Sequence, residues 1–185
     1  MIYPIVAYGH PVLKKRAKEI DKDYPELQKL IADMYETLHL TQGVGLAAPQ
    51  INLSIRLFIT DGKGYAEEES ALENFRKVFV NPVLVEEDGM EWKFNEGCLS
   101  IPGIREDVER KEMVKLKYLD ENFTEHTETF HGIAARIIQH EYDHLEGILF
   151  TDKLSAFKRR LLKGKLTDIS KGLVDVDYKM KFALR

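Results

Sequence analysis

The sequence predicts an α+β fold with mainly antiparallel strand pairing and three helices, one towards each end of the chain and one between them. Three observations lead there. Strand-like and helical stretches are interspersed without the regular rhythm of parallel βαβ units. A turn sequence, "DENF" (120–123), joins two of the strand-like stretches. Amphipathic spacing marks three helical segments, near 25–40, 132–145 and 155–171.

Each element has its own justification. In "PELQKLIADMYETLHL" (25–40), Leu27, Leu30, Ile31, Met34, Tyr35 and Leu38 form one apolar stripe. Asp23 and Pro25 suit its start, and Gly43 suits its end. "IRLFIT" (55–60) reads as a strand, and the polar stretch 61–77 as a surface loop with a helical turn at 67–76. "KVFVNPVLVEE" (77–87) is strand-like but broken by Asn81-Pro82, and "EWKFNEG" (91–97) reads as a separate strand. In "EMVKLKYLD" (112–120), Val114, Leu116 and Tyr118 alternate with Lys115 and Lys117, and the turn then leads into "TEHTETF" (124–130). The last helix carries a stripe of Leu154, Phe157, Leu161, Leu162 and Leu166, with its Lys and Arg residues on a solvated face. The tail "DVDYKMKF" (175–182) suits a short final strand.

Composition narrows the classes of function. The 185 residues are 44% hydrophobic and 31% charged, as expected of one globular domain spanning 1–185. A net charge of −4 with no basic block gives no nucleic-acid signature. No apolar run approaches the roughly 20 residues that span a bilayer, so no membrane partner is expected. The opening "MIYPIVAYGHPVLKKR" has no basic stretch ahead of its apolar residues, so a cytoplasmic location without a signal peptide is expected. One cysteine, Cys98, excludes an internal disulfide and by default is a small buried apolar residue.

The central helix carries chemistry. "QHEYDHLEGILF" (139–150) contains HExxH: His140 and His144 lie four apart, so they project from one face and can share one ion. Glu141 lies beside that line, where a carboxylate touches a metal-bound water rather than the metal. The plainer reading is a pair of surface histidines. Ile133 and Ile137 share the metal-side face and suit either core packing or a pocket wall, and Arg136 borders it. Two imidazoles are an incomplete site. A third histidine at the long-motif position is excluded, because Phe150 stands there, and no glutamate follows Glu146. Asp152, Asp168, Asp175 and Asp177 stay open but lack a helical context that marks a ligand. Cys98 stands out in "EGCLS" (96–100), where Gly97 permits an unusual backbone and a thiolate suits a metal. Two nitrogens and one sulfur leave a fourth position for water, the layout of a catalytic site.

"GVGLAAPQ" (43–50), "EGCLS" (96–100) and "QHEYDHLEG" (139–147), in that order and spacing, strongly resemble the three motifs of peptide deformylases. The likeness extends over roughly residues 1–165. It implies an α+β fold with antiparallel β-sheets packed around a central HExxH helix, and removal of the N-formyl group from the initiator methionine of new polypeptides. By this resemblance Cys98, His140 and His144 bind one divalent metal, Fe2+ with Zn2+, Ni2+ or Co2+ as substitutes. Glu141 is the general base, and Gln50 and the Leu99 N–H stabilise the oxyanion. Val44, Gly45, Gly97, Ile133, Arg136 and Ile137 shape the substrate pocket, with Arg136 at its mouth. Glu96 and Arg110 pair to hold the cysteine loop, and Asp143 either orients a ligand or faces solvent. The expected partners are N-formylmethionyl peptides, met as nascent chains near the ribosome exit. Two other readings remain beside this one: an HExxH peptidase cleaving internal bonds, and a non-catalytic protein with a structural metal.

Overall fold

The computed structural model describes residues 1–183. Its centre is a five-stranded antiparallel sheet in the order β2-β3-β4-β5-β6, built from Gly45–Ala47, Leu57–Asp61, Arg76–Cys98, Ile101–Leu119 and Glu125–His131. Two helices cover it: α1 (Leu27–Leu40) on one face and α2 (Gly132–Leu145) on the other. Side chains alternate across a strand, and here both directions are buried. Leu57 and Ile59 of β3 pack with Leu30, Ile31, Met34 and Leu38 of α1. Phe58 points the other way and joins Phe79, Ala135 and Ile138 on the α2 side. That is why "LFI" (57–59) is apolar throughout instead of alternating. Phe58 and Phe79 stack with centroids 4.5 Å apart, and Tyr118 lies at the same distance from Phe79. Such aromatic pairs contribute about 0.5–1.5 kcal/mol beyond their buried area.

The helix ends explain their own boundaries. At the end of α1, Gln42 takes the left-handed conformation (φ 54°), and the Gly43 N–H reaches back to the Leu38 carbonyl at 3.1 Å. The helix-stopping role expected of Gly43 thus falls to Gln42. At the end of α2, Gly147 (φ 73°) and Ile148 donate to the carbonyls of His144 and Asp143, closing the helix one turn past the HExxH residues. Glu69 accepts from the Ile133 N–H (3.3 Å) at the start of α2, where a carboxylate complements the helix dipole.

Several sequence expectations are revised. Asn81-Pro82 does not break the chain into two strands: β4 runs for 23 residues, with the irregularity absorbed as register shifts between Val80 and Val83. Asn81 sits at φ 47° and its side chain brackets the Ile20 peptide groups on both sides, at 3.0 and 2.7 Å. The stretch 61–77 holds two 3-10 turns, Gly62–Tyr65 and Ser70–Asn74. In α3 (Ala156–Ser170), Phe157 and Leu161 are 70% and 67% exposed. The buried contacts come from Leu166 and from Ile169, which the stripe omitted, with Leu154 just before the helix. Of the expected stripe, Leu154, Leu162 and Leu166 pack against the core and Phe157 and Leu161 do not, because α3 seats mainly its C-terminal half. The tail strand β7 shrinks to Met180–Lys181 and pairs parallel, not antiparallel, with β1 (Ile5–Val6). Among the described residues no helix is long and apolar enough to cross a membrane.

Candidate metal centre

The site forms where the tip of the β4–β5 hairpin meets the face of α2. Cys98 is the last residue of β4 and pairs with Ile101 across a two-residue turn, Leu99-Ser100. His140 and His144 come from consecutive turns of α2. One donor atom from each of Cys98, His140 and His144 lies within 4.8 Å of the others, and Cys98 Sγ stands 3.4 Å from His144 Nε2. One soft sulfur and two imidazoles converging from two elements fit a divalent transition metal.

His140 is oriented from behind. Its Nδ1 meets Glu96 Oε2 at 2.9 Å, which leaves Nε2 facing Cys98. Glu96 is buried and gathers four hydrogen bonds. Arg110 supplies two, at 2.7 and 3.0 Å, and Arg136 a third at 2.9 Å. Arg110 also donates to Asp143 at 2.6 Å. The Glu96–Arg110 pair is therefore a buried network, not an isolated surface pair, and Asp143 serves it through Arg110. Burial alone would raise the Glu96 carboxyl, but His140 and Arg110 hold it far below the usual carboxylate range. His140 shows the complement: burial disfavours its charge, yet hydrogen bonds to Cys98 and Glu96 raise its pKa well above normal. His144, buried and repelled by His140, is lowered.

Glu141 is 4% exposed, and its Oε2 has no hydrogen-bond partner. Burial pushes its pKa up to about 7, against the pull of His140. β2 passes so close that a Cβ on Gly45 would sit 2.5 Å from Glu141 Oε1. Gln50 accepts from the Ala47 N–H at 2.9 Å through Oε1, which turns its amide NH2 towards Cys98 Sγ (3.5 Å) and Ser100 Oγ (3.4 Å). A cavity of about 450 Å³ opens here, lined by Val44, Gly45, Gln50, Gly97, Leu99 and Ile137, with Cys98, His140 and Glu141 on its wall.

A family model described as polypeptide deformylase matches residues 2–160. The chain belongs to the peptide deformylase family. The peptide deformylase of Christiangramia forsetii is 57% identical over 98% of this chain and 96% of its own. That of Cytophaga hutchinsonii is 54% identical over all of both chains. A crystal structure of a peptide deformylase from Legionella pneumophila superposes with a TM-score of 0.82 at 39% identity, covering 94% of this chain and 98% of that one. As a peptide deformylase, this protein is a metal-dependent hydrolase that removes the N-formyl group from nascent polypeptides.

Of the residues expected around the deformylase pocket, Ile133 lies off the cavity wall, while Arg136 and Gly97 line it in another manner than expected. Ile133 is absent from the cavity wall: it shares the face of His140 but lies two turns earlier, about 10 Å along the axis. Arg136 does line the cavity but not as an exposed group at its mouth. It is 2% exposed, bonded to Glu96 and to the carbonyls of Val108 and Trp92, with Trp92 4.7 Å from its guanidinium. Gly97 is not among the positive-φ residues. Its missing Cβ makes room for the Arg105 guanidinium, which would otherwise be 2.7 Å away. Sequence reasoning missed Tyr65, Phe94 and Tyr178 on the cavity wall. The period-two pattern of "EWKFNEG" could have offered Phe94, whereas no local signal marks Tyr65 or Tyr178.

Proposed function

We propose that Cys98, His140 and His144 hold one divalent ion and that Glu141 is the general base of deformylation. The observation that carries this reading is the orphaned Glu141 Oε2, buried beside three converging donors. An unpaired buried carboxylate is costly and calls for a partner. An ion held there supplies Lewis acidity, lowering the pKa of water and polarising the formyl oxygen. Glu141 takes the proton of the attacking water and delivers it to the departing amine nitrogen. The Gln50 amide and the Leu99 N–H donate to the developing oxyanion; losing one such donor typically costs about 10²–10³ in rate. Val44, Gly45, Gly97 and Ile137 shape the cavity for the methionine end of an extended peptide, with Arg136 as part of its inner wall.

The working metal in this reading is Fe2+, with Zn2+, Ni2+ or Co2+ able to replace it. The enzyme acts in the cytoplasm on chains leaving the ribosome, as one catalytic unit spanning residues 1–185. The test is formate release from formyl-Met-Ala-Ser by purified protein, alongside Glu141→Gln. The variant is expected to keep its metal and lose nearly all turnover. Full activity in Glu141→Gln would remove the general-base role. Cleavage of casein without formate would favour an internal peptidase.

A further inference from the structure

The C-terminal segment is built back into the site. Two residues past α3, Gly172 (φ 75°) closes the helix: the Gly172 and Leu173 N–H groups donate to the Ile169 and Asp168 carbonyls and reverse the chain. The Phe182 ring closes over that glycine, about 3.4 Å from where a Cβ would stand. Between these points the chain runs beside β1, with the Ile5 and Ala7 N–H groups bonding the Lys179 and Lys181 carbonyls at 2.8 and 2.9 Å. Tyr178 is thereby held against the cavity, and its hydroxyl donates to the Leu99 carbonyl at 2.8 Å.

We propose that Tyr178 is a positioning residue for deformylation, and that through it the segment 173–183 is part of the active site rather than a trailing end. The Leu99-Ser100 turn carries the cysteine on one side and the proposed oxyanion donor in its own backbone. Three contacts hold it. Tyr8 N–H donates to the Ser100 carbonyl at 2.8 Å, Gln50 reaches Ser100 Oγ, and Tyr178 takes the Leu99 carbonyl. Only the last comes from the C-terminal segment. The Leu99 N–H has no acceptor in the protein among the described residues. The Leu99 carbonyl and the Leu99 N–H lie in adjacent peptide planes hinged at Leu99 Cα, so anchoring the carbonyl limits the rotations that would swing the N–H away. A donor held in place before the reaction needs no reorganisation when charge develops.

This inference rests on the reading of the Leu99 N–H as an oxyanion donor. It is tested with Tyr178→Phe, which keeps the ring and removes the hydroxyl, and with Phe182→Ala, which loosens the segment away from the cavity. Steady-state formate release from formyl-Met-Ala-Ser gives kcat and KM; equilibrium dialysis with Co2+ gives metal affinity. Tyr178→Phe is expected to lower kcat roughly three- to tenfold, the scale of one net hydrogen bond. KM stays within about twofold, and Co2+ affinity is unchanged. Phe182→Ala is expected to lower kcat in the same direction. A Tyr178→Phe enzyme with wild-type kcat overturns the inference while leaving the deformylase reading intact. So does a loss confined to KM, which would make Tyr178 a substrate contact, or a loss that tracks weaker metal binding, which would route its effect through Cys98. A wild-type protein that releases no formate defeats the underlying reading instead.

Discussion

Glu96→Gln tests the network behind the metal centre most directly. The carboxylate takes four hydrogen bonds from three cationic or imidazole groups, and it is almost fully enclosed. An amide of the same shape has one acceptor oxygen and one NH2. Whichever way it turns, the NH2 meets N–H donors: those of Arg110 and Arg136 on one side, Arg110 and His140 on the other. Arg136 then has no carboxylate partner, and Arg110 keeps only Asp143. Breaking a buried charge pair from one side costs about 3–5 kcal/mol. For a chain of this length each kcal/mol moves Tm by about 2–4 °C, so the expected drop is about 6–20 °C. Thermal unfolding followed by circular dichroism on chelator-treated protein reads the fold without the ion. Lys117→Ala is the control: its pair with Glu125 (3.0 Å) joins two exposed side chains, worth at most about 1 kcal/mol. A Glu96→Gln shift no larger than that of Lys117→Ala would refute the argument that Glu96 is the buried counter-charge of the network. Metal affinity gives a second readout, with a loss of about 10–100-fold expected from freeing the His140 ring.

Two further predictions concern close approach and pH. Gly45→Ala places a methyl group 2.5 Å from Glu141 Oε1, so the carboxylate must shift. Turnover is expected to fall on the order of 10²-fold with metal content unchanged, and a fully active variant would show that Glu141 has room to spare. Glu128 is raised by burial, but hydrogen bonds from Tyr118 and Lys77 prevail and lower its pKa. A lowered carboxylate adds stability above its unfolded pKa, and that stability is lost as pH falls through the folded value. The Tm gap between wild type and Glu128→Gln should therefore be open at pH 6 and close below the usual glutamate range; a gap independent of pH would deny the carboxylate its role.

Helix positions and the candidate metal ligands were legible because their signals are local. The α2 span follows from apolar spacing, and the motif spacing puts His140 and His144 on one face whatever lies around them. Cys98 was legible only in company with HExxH, since a lone cysteine carries no geometry of its own. What stayed hidden depends on pairing and seating. Asn81-Pro82 reads as a break because proline lacks an N–H, yet the neighbouring strands hold β4 in line and Asn81 finds its partner at Ile20, 61 positions away. Phe157 and Leu161 fit a helical stripe as well as Leu166 does. Only the angle at which α3 meets the sheet decides which are covered. Tyr178 lies in a segment with no motif, and its contact with Leu99 spans 79 positions.

Sulfur and imidazole at the centre stand 46 positions apart in the chain, on a hairpin tip and a helix face. Neither element alone offers more than two donors, so an unfolded chain presents no chelate worth the name. The donors meet only where hairpin and helix pack, so the fold rather than chelation sets the place for an ion. Stripping it should leave an empty socket rather than a collapsed one, ready to be refilled by whichever cation the surroundings supply.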